Sequence, residues 1–467
     1  MAFLGLFITI ISGIGVVLSI SRRLKLVEVL GLSFPVGMGL QTFLMVCLDS
    51  AGIRLTATSV FAVSLLITAG LGVYLYFLRA QLKDWLKYIG TFTCPRITWL
   101  WLLGLIAVGV VVVMNVAKTL YYPTFDTDSV RGFNLIGMAV ANEGTIRGLS
   151  LFNDANYAMR GAGSYITYTP LTQLSYTYMY LLGFETSKMS NALFFISFIP
   201  VFYGIVSRFA THTLAALTTL LTIITPEMLG FSSMSGTNFI HAVYASSGIL
   251  FFVTWYYKKT PSFLWIAAML LMLNNWTRSE GLAFIGAACC LLLWNSIKIK
   301  RYKTLVLFTG LCLFPFVFWN LFLKIYNLEA VNAVILKPFW DSGKITVIIT
   351  EMWQLFKAGA YYGISFVLFL IVFLSNIRAI VKKQDHAVSL LLLLFSWIFY
   401  TILIYQVDYI WDTLENVMRY SYKRFLFSFI PLLWFYIAAN HNIKWLFDKA
   451  DNFLFSIKPP ANQKTKK

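Results

Sequence analysis

The stretch YYPTFDTDSVRGF, residues 121–133, sets two carboxylates, Asp126 and Asp128, one residue apart just after a long apolar run. On an extended segment, side chains two apart point the same way, so the two acids could face each other and raise one another's pKa. A carboxylate at a water–lipid boundary can act as a general base, taking a proton from an incoming hydroxyl while an amphiphilic donor sits in the bilayer beside it. The same residues admit a structural role. DSVRGFNLIGMAVANEG reads as a helix with Asp128 as N-cap, Val130, Phe133, Ile136 and Val140 at helical spacing, and Gly144 as C-cap. Its other face carries Arg131, Asn134 and Asn142, so it would lie flat on the outer membrane surface. Asp126 would then merely solvate the turn after Pro123. The residues alone leave both readings open.

The elements that must position these acids are membrane helices. Of 467 residues, 59% are hydrophobic and only 12% charged, and the mean hydropathy is +0.75. A soluble domain carries about a quarter charged residues. Apolar runs of about 20 residues, long enough to cross a bilayer core, recur throughout. The expectation is an all-α polytopic integral membrane protein with about 13–14 transmembrane helices. The ten-residue alternation of a barrel is absent. Candidate spans fall at 3–20, 29–48, 57–78, 97–117, 166–183, 189–207, 210–225, 238–257, 262–275, 281–297, 304–325, 358–377, 387–406 and 424–440. The first has no small-residue cleavage site and reads as a retained helix.

The net charge of +18 does not point to nucleic acid, because the basic residues sit in short loops such as SRRLK, YYKK and KIKRYK. That is the pattern of a cytoplasmic face. Five cysteines without a CxxC pair and four histidines without HxxxH spacing indicate neither a disulfide framework nor a zinc site. Arg22, Arg23, Lys25, Arg79, Lys83, Lys87 and Arg96 go inside, and four crossings then put 118–164 outside. Counting back from the basic C-terminus puts 226–237, 276–280, 326–357 and 408–423 outside as well. The two counts conflict in parity between 165 and 225, so one of the segments 166–183 and 210–225 is expected not to cross fully. Partial helices occur at membrane depth where they line a cavity or pack on protein, which makes the conflict itself a hint of a site. The segment 118–164 is far longer than most helix connections and holds Asp126, Asp128, Glu143 and Asp154 with Lys118, Arg131, Arg147 and Arg160. Long ordered loops tend to carry function.

Pro123, then DTDSVRGF, then a small-residue stretch, then ITYTPLTQLSYTYMYLLG (166–183) resemble the first extracytoplasmic loop of GT-C glycosyltransferases. These are the polyprenyl-phosphate-sugar-dependent enzymes that include protein O-mannosyltransferases and aminoarabinose transferases. Arg131 follows Asp128 by three, and Pro170-Leu171 opens the next helix, as in that family. NNWTRSEGLAF (274–284) resembles the family's Arg-x-Glu-Gly helix junction. MRYSYKRFLFSFIPLLWF (418–435) resembles the basic lead into a late proline-containing helix. The resemblance spans roughly 97–440, with 118–164 as catalytic loop, 1–96 as accessory transmembrane helices and 441–467 as a basic cytoplasmic tail. Its motifs are short, and their order and spacing carry it. Only Glu227 stands in the 226–237 loop, whereas the metal-dependent branch needs several carboxylates. The comparison is therefore with the metal-independent branch that uses a lipid monophosphate donor and no cofactor.

The resemblance implies transfer of a sugar from a polyprenyl-phosphate carrier to an extracytoplasmic glycan, lipid or protein acceptor, with inversion. Asp128 would be the base, with Asp126 as runner-up. The leaving lipid phosphate suits bidentate, always-charged arginine. Arg278 is the foremost candidate, oriented by Glu280, since a charge at a membrane helix end is costly without a task; a plain structural ion pair is the alternative. Arg419, Lys423 and Arg424 form a second basic cluster, either phosphate-binding or snorkelling to head groups. Arg131, Arg160 and Lys337 are further phosphate candidates. Tyr121, Tyr122, Tyr165, Tyr168, Trp340 and Trp411 could pack on sugar faces or form an interfacial belt. The compact loops fit a bacterial inner membrane with the site on its outer face. Rivals are a ligase or polymerase that uses a diphosphate lipid carrier, a lipid or sugar transporter, and a catalytically silent scaffold.

Overall fold

The structure is a computed structural model that describes residues 2–90, 98–152, 165, 168–328, 334–337, 339–382, 386–409 and 412–453. Ala2–Ile20 (α1), Leu26–Ser50 (α2) and Ala57–Phe77 (α3) precede a polar-faced helix, Arg79–Gly90 (α4). Trp99–Tyr121 (α5) leads to a π turn at Ser129–Phe133 that continues as Asn134–Glu143 (α6). Leu171–Leu181 (α7), Lys188–Val206 (α8), His212–Ile223 (α9) and Pro226–Phe231 (α10) follow. The middle consists of Thr237–Lys258 (α11), Pro261–Thr277 (α12), Leu282–Ile299 (α13) and Lys303–Ile325 (α14). Strands Val334–Leu336 (β1) and Val407–Tyr409 (β2) pair antiparallel, Val334 opposite Tyr409, and bracket Ser342–Lys357 (α15), Ser365–Val381 (α16) and Ala387–Tyr405 (α17). The irregular helix Leu414–Ala439 (α18) ends the bundle, and His441–Phe453 (α19) leaves it at a 63° bend.

Contacts between sequence-distant residues define two ends. At one, Lys25 Nζ donates to Ser207 Oγ (2.7 Å), Ser21 meets Ser262 (2.8 Å) and the Val388 N–H reaches the Tyr257 hydroxyl (3.3 Å). At the other, Asn115 donates to Ser232 (2.6 Å), Tyr326 to the Ser50 carbonyl (3.3 Å), and Asp49 accepts from Thr145 Oγ1 (2.8 Å) and Arg147 N (3.0 Å). The first is the basic end of the bundle and the second its loop end. Among the described residues nine helices, counting α13 with the turn before it, are long and apolar enough to span a bilayer. With α18, the shorter α9 and α16, and α12, thirteen helices run between the two ends among the described residues.

The parity conflict resolves on α7. Its start meets the start of α11 through Thr172 and Thr237 (2.8 Å), and the chain beyond it returns Lys188 to the Tyr122 carbonyl, so both sides of α7 lie at the loop end. Eleven residues span about 16 Å at 1.5 Å each, half of a hydrocarbon core. The twelve-residue α9 is also short, but it continues past Thr225 into α10 and completes its pass.

Burial separates core from lipid-facing helices: 89% of the α11 span is buried, against 11% for α3. Although it lies within 1–96, α2 belongs to the common core. Trp276 of α12 donates to Thr42 (3.0 Å), and Tyr244 of α11 donates to the carbonyl of Pro35 (2.7 Å) inside α2. The second long loop holds a helix that its sequence did not announce, α15, capped by Asp341 accepting from Gly343 N (2.9 Å) and Lys344 N (3.2 Å). The first part of the basic tail forms α19.

Candidate functional site

The helix of the first loop begins at Thr127, two residues earlier than a cap at Asp128 implies, and this exchanges the roles of the two acids. Asp126 is the N-cap: its Oδ2 accepts from the Ser129 N–H and hydroxyl, both at 3.3 Å. Its carbonyl accepts from Ser129 N (3.1 Å) and Val130 N (2.9 Å). Asp128 has helical φ −63° and ψ −30° and makes no cap bond. The reading of Asp128 as cap and Asp126 as bystander is therefore corrected. A cap must lie outside the helix and reach an N–H two or three residues on, and after Pro123 that position falls to Asp126. The Gly144 cap is as expected, at φ 73°. The helix does not lie apart on a surface, however: Asn134 on its polar side accepts from Tyr180 (2.6 Å) and Ser187 (2.5 Å).

Freed from capping, Asp128 uses both oxygens across the fold. Oδ1 accepts the Tyr165 hydroxyl at 2.6 Å, and Oδ2 pairs with Arg424 of α18. Burial first, and then the neighbouring Asp128 charge, push the Asp126 carboxyl above the usual carboxylate range; Arg424 opposes this. Burial and the Asp128 carboxylate push the Tyr165 phenol far up, so it remains a donor. Tyr165 lies on Gly132, where a Cβ would come within 2.6 Å of its ring, and Phe133 packs edge-on against Tyr165 (5.3 Å) and Tyr168 (5.4 Å).

Tyr168 links this centre to the second motif. Its ring stacks 6.3 Å from Tyr165 and lies 5.3 Å beneath the Arg278 guanidinium, and burial pushes its phenol up to about 12. Arg278 ends α12 in an extended conformation, φ −155° and ψ 141°. Its Nε (3.1 Å) and Nη2 (2.5 Å) fork onto Glu280, and its Nη1 donates to Asn238 at the start of α11 (2.5 Å). The expected Arg278–Glu280 pair is thus formed, in the bidentate geometry that fixes a guanidinium plane. One turn along α11, buried His241 lies between Phe425 (5.3 Å) and Phe284 (5.8 Å), and among the described residues neither ring nitrogen has a hydrogen-bond partner. The amide of Asn274, one turn before Arg278, is likewise unbonded.

The 418–424 cluster does not act as one patch. Arg419 forks onto Glu351 (2.9 and 3.0 Å) and also meets Glu415 (2.5 Å), while Lys423 pairs with Glu227 (3.0 Å) over the Tyr361 ring (4.2 Å). Only Arg424 turns to Asp128. A π turn at Met418–Tyr422 rotates the following residues off the α-helical face they would otherwise share. Lys337 is exposed and, with Lys344, pairs with Asp408, whose carboxyl these two bonds hold below the usual range. Arg131, Tyr121, Tyr122 and Trp340 are exposed, and the two tyrosine rings pack on each other (5.2 Å). Arg160 and Trp411 lie outside the described residues. Beside Asp126 a pocket of about 10 Å³, room for one water, is lined by Lys118, Ser129, Lys188, Ser233 and Ser235 among others. Among the described residues no three His, Cys, Asp or Glu side chains converge as a metal site.

Among the participants that escaped sequence reasoning as ligands of these groups are Tyr165, Asn238, Glu227, Glu351 and Asp408. None stands at a spacing that marks it, since each meets its partner across a long stretch of sequence. Comparison with family models, curated proteins and solved structures finds no match for the chain. Fold and composition define a multi-pass α-helical membrane protein, and the functional reading rests on the site.

Proposed function

We propose that this protein is a membrane glycosyltransferase of GT-C type, moving a sugar from a polyprenyl-phosphate carrier to an acceptor on the outer face of a bacterial inner membrane. One observation carries the reading: the early-loop carboxylate Asp128, the late-helix Arg424 and, through Tyr165 and Tyr168, the Arg278–Glu280 fork meet at one end of a membrane bundle. The acceptor oxygen attacks the anomeric carbon as its proton passes to Asp128. The bond from that carbon to the phosphate oxygen breaks, and the lipid phosphate leaves with the electron pair. Arg424 gives only one N–H to Asp128, and a guanidinium has five, so it can hold the carboxylate and the departing phosphate together. Arg278, held flat by Glu280 and Asn238, adds fixed positive charge that needs no reorganisation. Arg419, Lys423 and Lys337, each engaged by an acid, shape the surrounding loops.

The test is release of lipid phosphate from a panel of polyprenyl-phosphate sugars by the protein in proteoliposomes. Turnover of one donor by wild type, lost in Asp128→Asn, supports the reading. If no donor is turned over, and flux of lipid or sugar across the bilayer is seen instead, the protein is a transporter.

A further inference from the structure

At the basic end, remote from Asp128, a cavity of about 540 Å³ opens between α2, α4, α5, α8 and α9. That is within the range of about 300–1,000 Å³ typical of small-molecule sites. Its deep wall is apolar: Leu105 and Val108 of α5, Ile199 and Pro200 of α8. Its polar groups are Lys25, which donates to Ser207 (2.7 Å), and a chain in which Trp101 Nε1 donates to the Tyr203 hydroxyl (3.0 Å) and that hydroxyl meets His212 Nδ1 (2.8 Å). From His212 to Thr219, both lining the cavity, α9 rises about 10 Å into the bundle.

The walls decide what fills the space. Water finds few partners along Leu105, Val108 and Ile199 and needs two to four each, whereas a hydrocarbon chain recovers dispersion contacts there. Charge decides the head group. Glu28, whose two oxygens accept from Arg208, stands beside Lys25, and no acidic residue lines the cavity among the described residues. Burial lowers Lys25 to about 8 against the opposing charge of Glu28, with Arg208 and Lys258 adding to the lowering.

We infer that this cavity binds an anionic phospholipid of the surrounding leaflet, with an acyl chain along α5, α8 and α9 and the phosphate at Lys25. Trp101, Tyr203 and His212 complete the head-group site, where an indole and a phenol suit the boundary between apolar and wet surroundings. The inference is independent of the glycosyltransferase reading.

The test reconstitutes the full chain in vesicles of equal phosphatidylglycerol and phosphatidylcholine, extracts it gently, and counts retained lipid by native mass spectrometry. Wild type should retain phosphatidylglycerol over phosphatidylcholine by about tenfold, the scale of one charge-assisted hydrogen bond. Lys25→Gln, which keeps a donor for Ser207, should bring the two lipids to parity, and Lys25→Arg should keep the preference. Leu105→Trp, which fills the chain cavity, should remove the bound lipid. Equal retention by wild type, or a preference that survives Lys25→Gln, overturns the head-group assignment. Retention that survives Leu105→Trp overturns the chain assignment. Unfolding temperatures of all variants separate loss of lipid from loss of fold.

Discussion

Asp128→Asn separates a catalytic carboxylate from a structural one because the two roles predict losses of different size. The carboxylate uses both oxygens, one for Tyr165 and one for Arg424, and an amide has only one acceptor. The amide oxygen must turn to Arg424, leaving its NH2 to donate to the Tyr165 hydroxyl, which can rotate to accept. Geometry therefore survives, and the loss is the charge of one ion pair. Both side chains are 25% exposed, between exposed pairs worth about 0–1 kcal/mol and buried pairs whose breaking costs about 3–5. A destabilisation of about 1–2 kcal/mol follows. Loss of a general base costs about 10²- to 10⁴-fold in rate, roughly 3–5 kcal/mol of barrier. Turnover in proteoliposomes and thermal unfolding, measured on the same preparations, should diverge by that difference. Asp126→Asn is the internal control: asparagine caps a helix as well as aspartate does, so stability and turnover should both hold. Turnover of Asp128→Asn within about threefold of wild type, under 1 kcal/mol of barrier, refutes the base assignment. A collapse in Asp126→Asn alone moves the base to the cap residue.

Glu280→Gln replaces the fork on Arg278 by a single neutral acceptor around a guanidinium only 14% exposed. Thermal unfolding should report a loss of about 2–3 kcal/mol, and an unchanged midpoint would make the fork incidental. Gly137→Ala places a Cβ 2.7 Å from the Tyr176 Cβ and 2.9 Å from the Gln173 carbonyl. Pushing α6 off α7 should cost about 1–3 kcal/mol and lower turnover by displacing Tyr165; wild-type stability would show that the contact yields. For Lys25 the folded value of about 8 lies below the usual 10.5, with Glu28, Arg208, Lys258, Tyr203 and His212 around it. Between these values the unfolded chain binds more protons, so stability should rise with pH across that window. The rise should show in phosphatidylcholine, flatten with phosphatidylglycerol and vanish in Lys25→Met; a rise indifferent to lipid and variant belongs to another group.

The membrane segments were legible because lipid imposes one rule on every span: 57–78 against Ala57–Phe77 and 387–406 against Ala387–Tyr405 differ by one residue at one end. Arg278 with Glu280 was legible for a local reason, since two residues across a helix break can meet without help from the rest of the chain. The choice between Asp126 and Asp128 was not. It depends on which residue stays outside the helix after Pro123 and on where Arg424, 296 positions away, arrives. The partners of Arg419 and Lys423 were hidden for the same reason, compounded by a π turn that no spacing in MRYSYKRF announces. In α15 the apolar face is too narrow to read as a span, and its polar face too mixed to stand out in a loop.

The parity conflict in the sequence was more informative than any single motif. Had α7 crossed the bilayer, Lys188 at the start of α8 would lie at the basic end, away from Tyr122. Instead α7 dips and returns, and that one irregularity does the assembling. Its lead-in sets Tyr165 and Tyr168 between Asp128 and Arg278. Its first turn packs Thr172 on Thr237, the residue before the Asn238 that holds Arg278. Gln173, also in that turn, donates to the Tyr165 carbonyl (3.0 Å) and fixes the lead-in. Backbone left partly inserted at membrane depth must be satisfied by protein rather than lipid, and here the protein that satisfies it is the site. A short helix that breaks the crossing count is thus the element on which the first-loop acid and the α12 arginine are brought together.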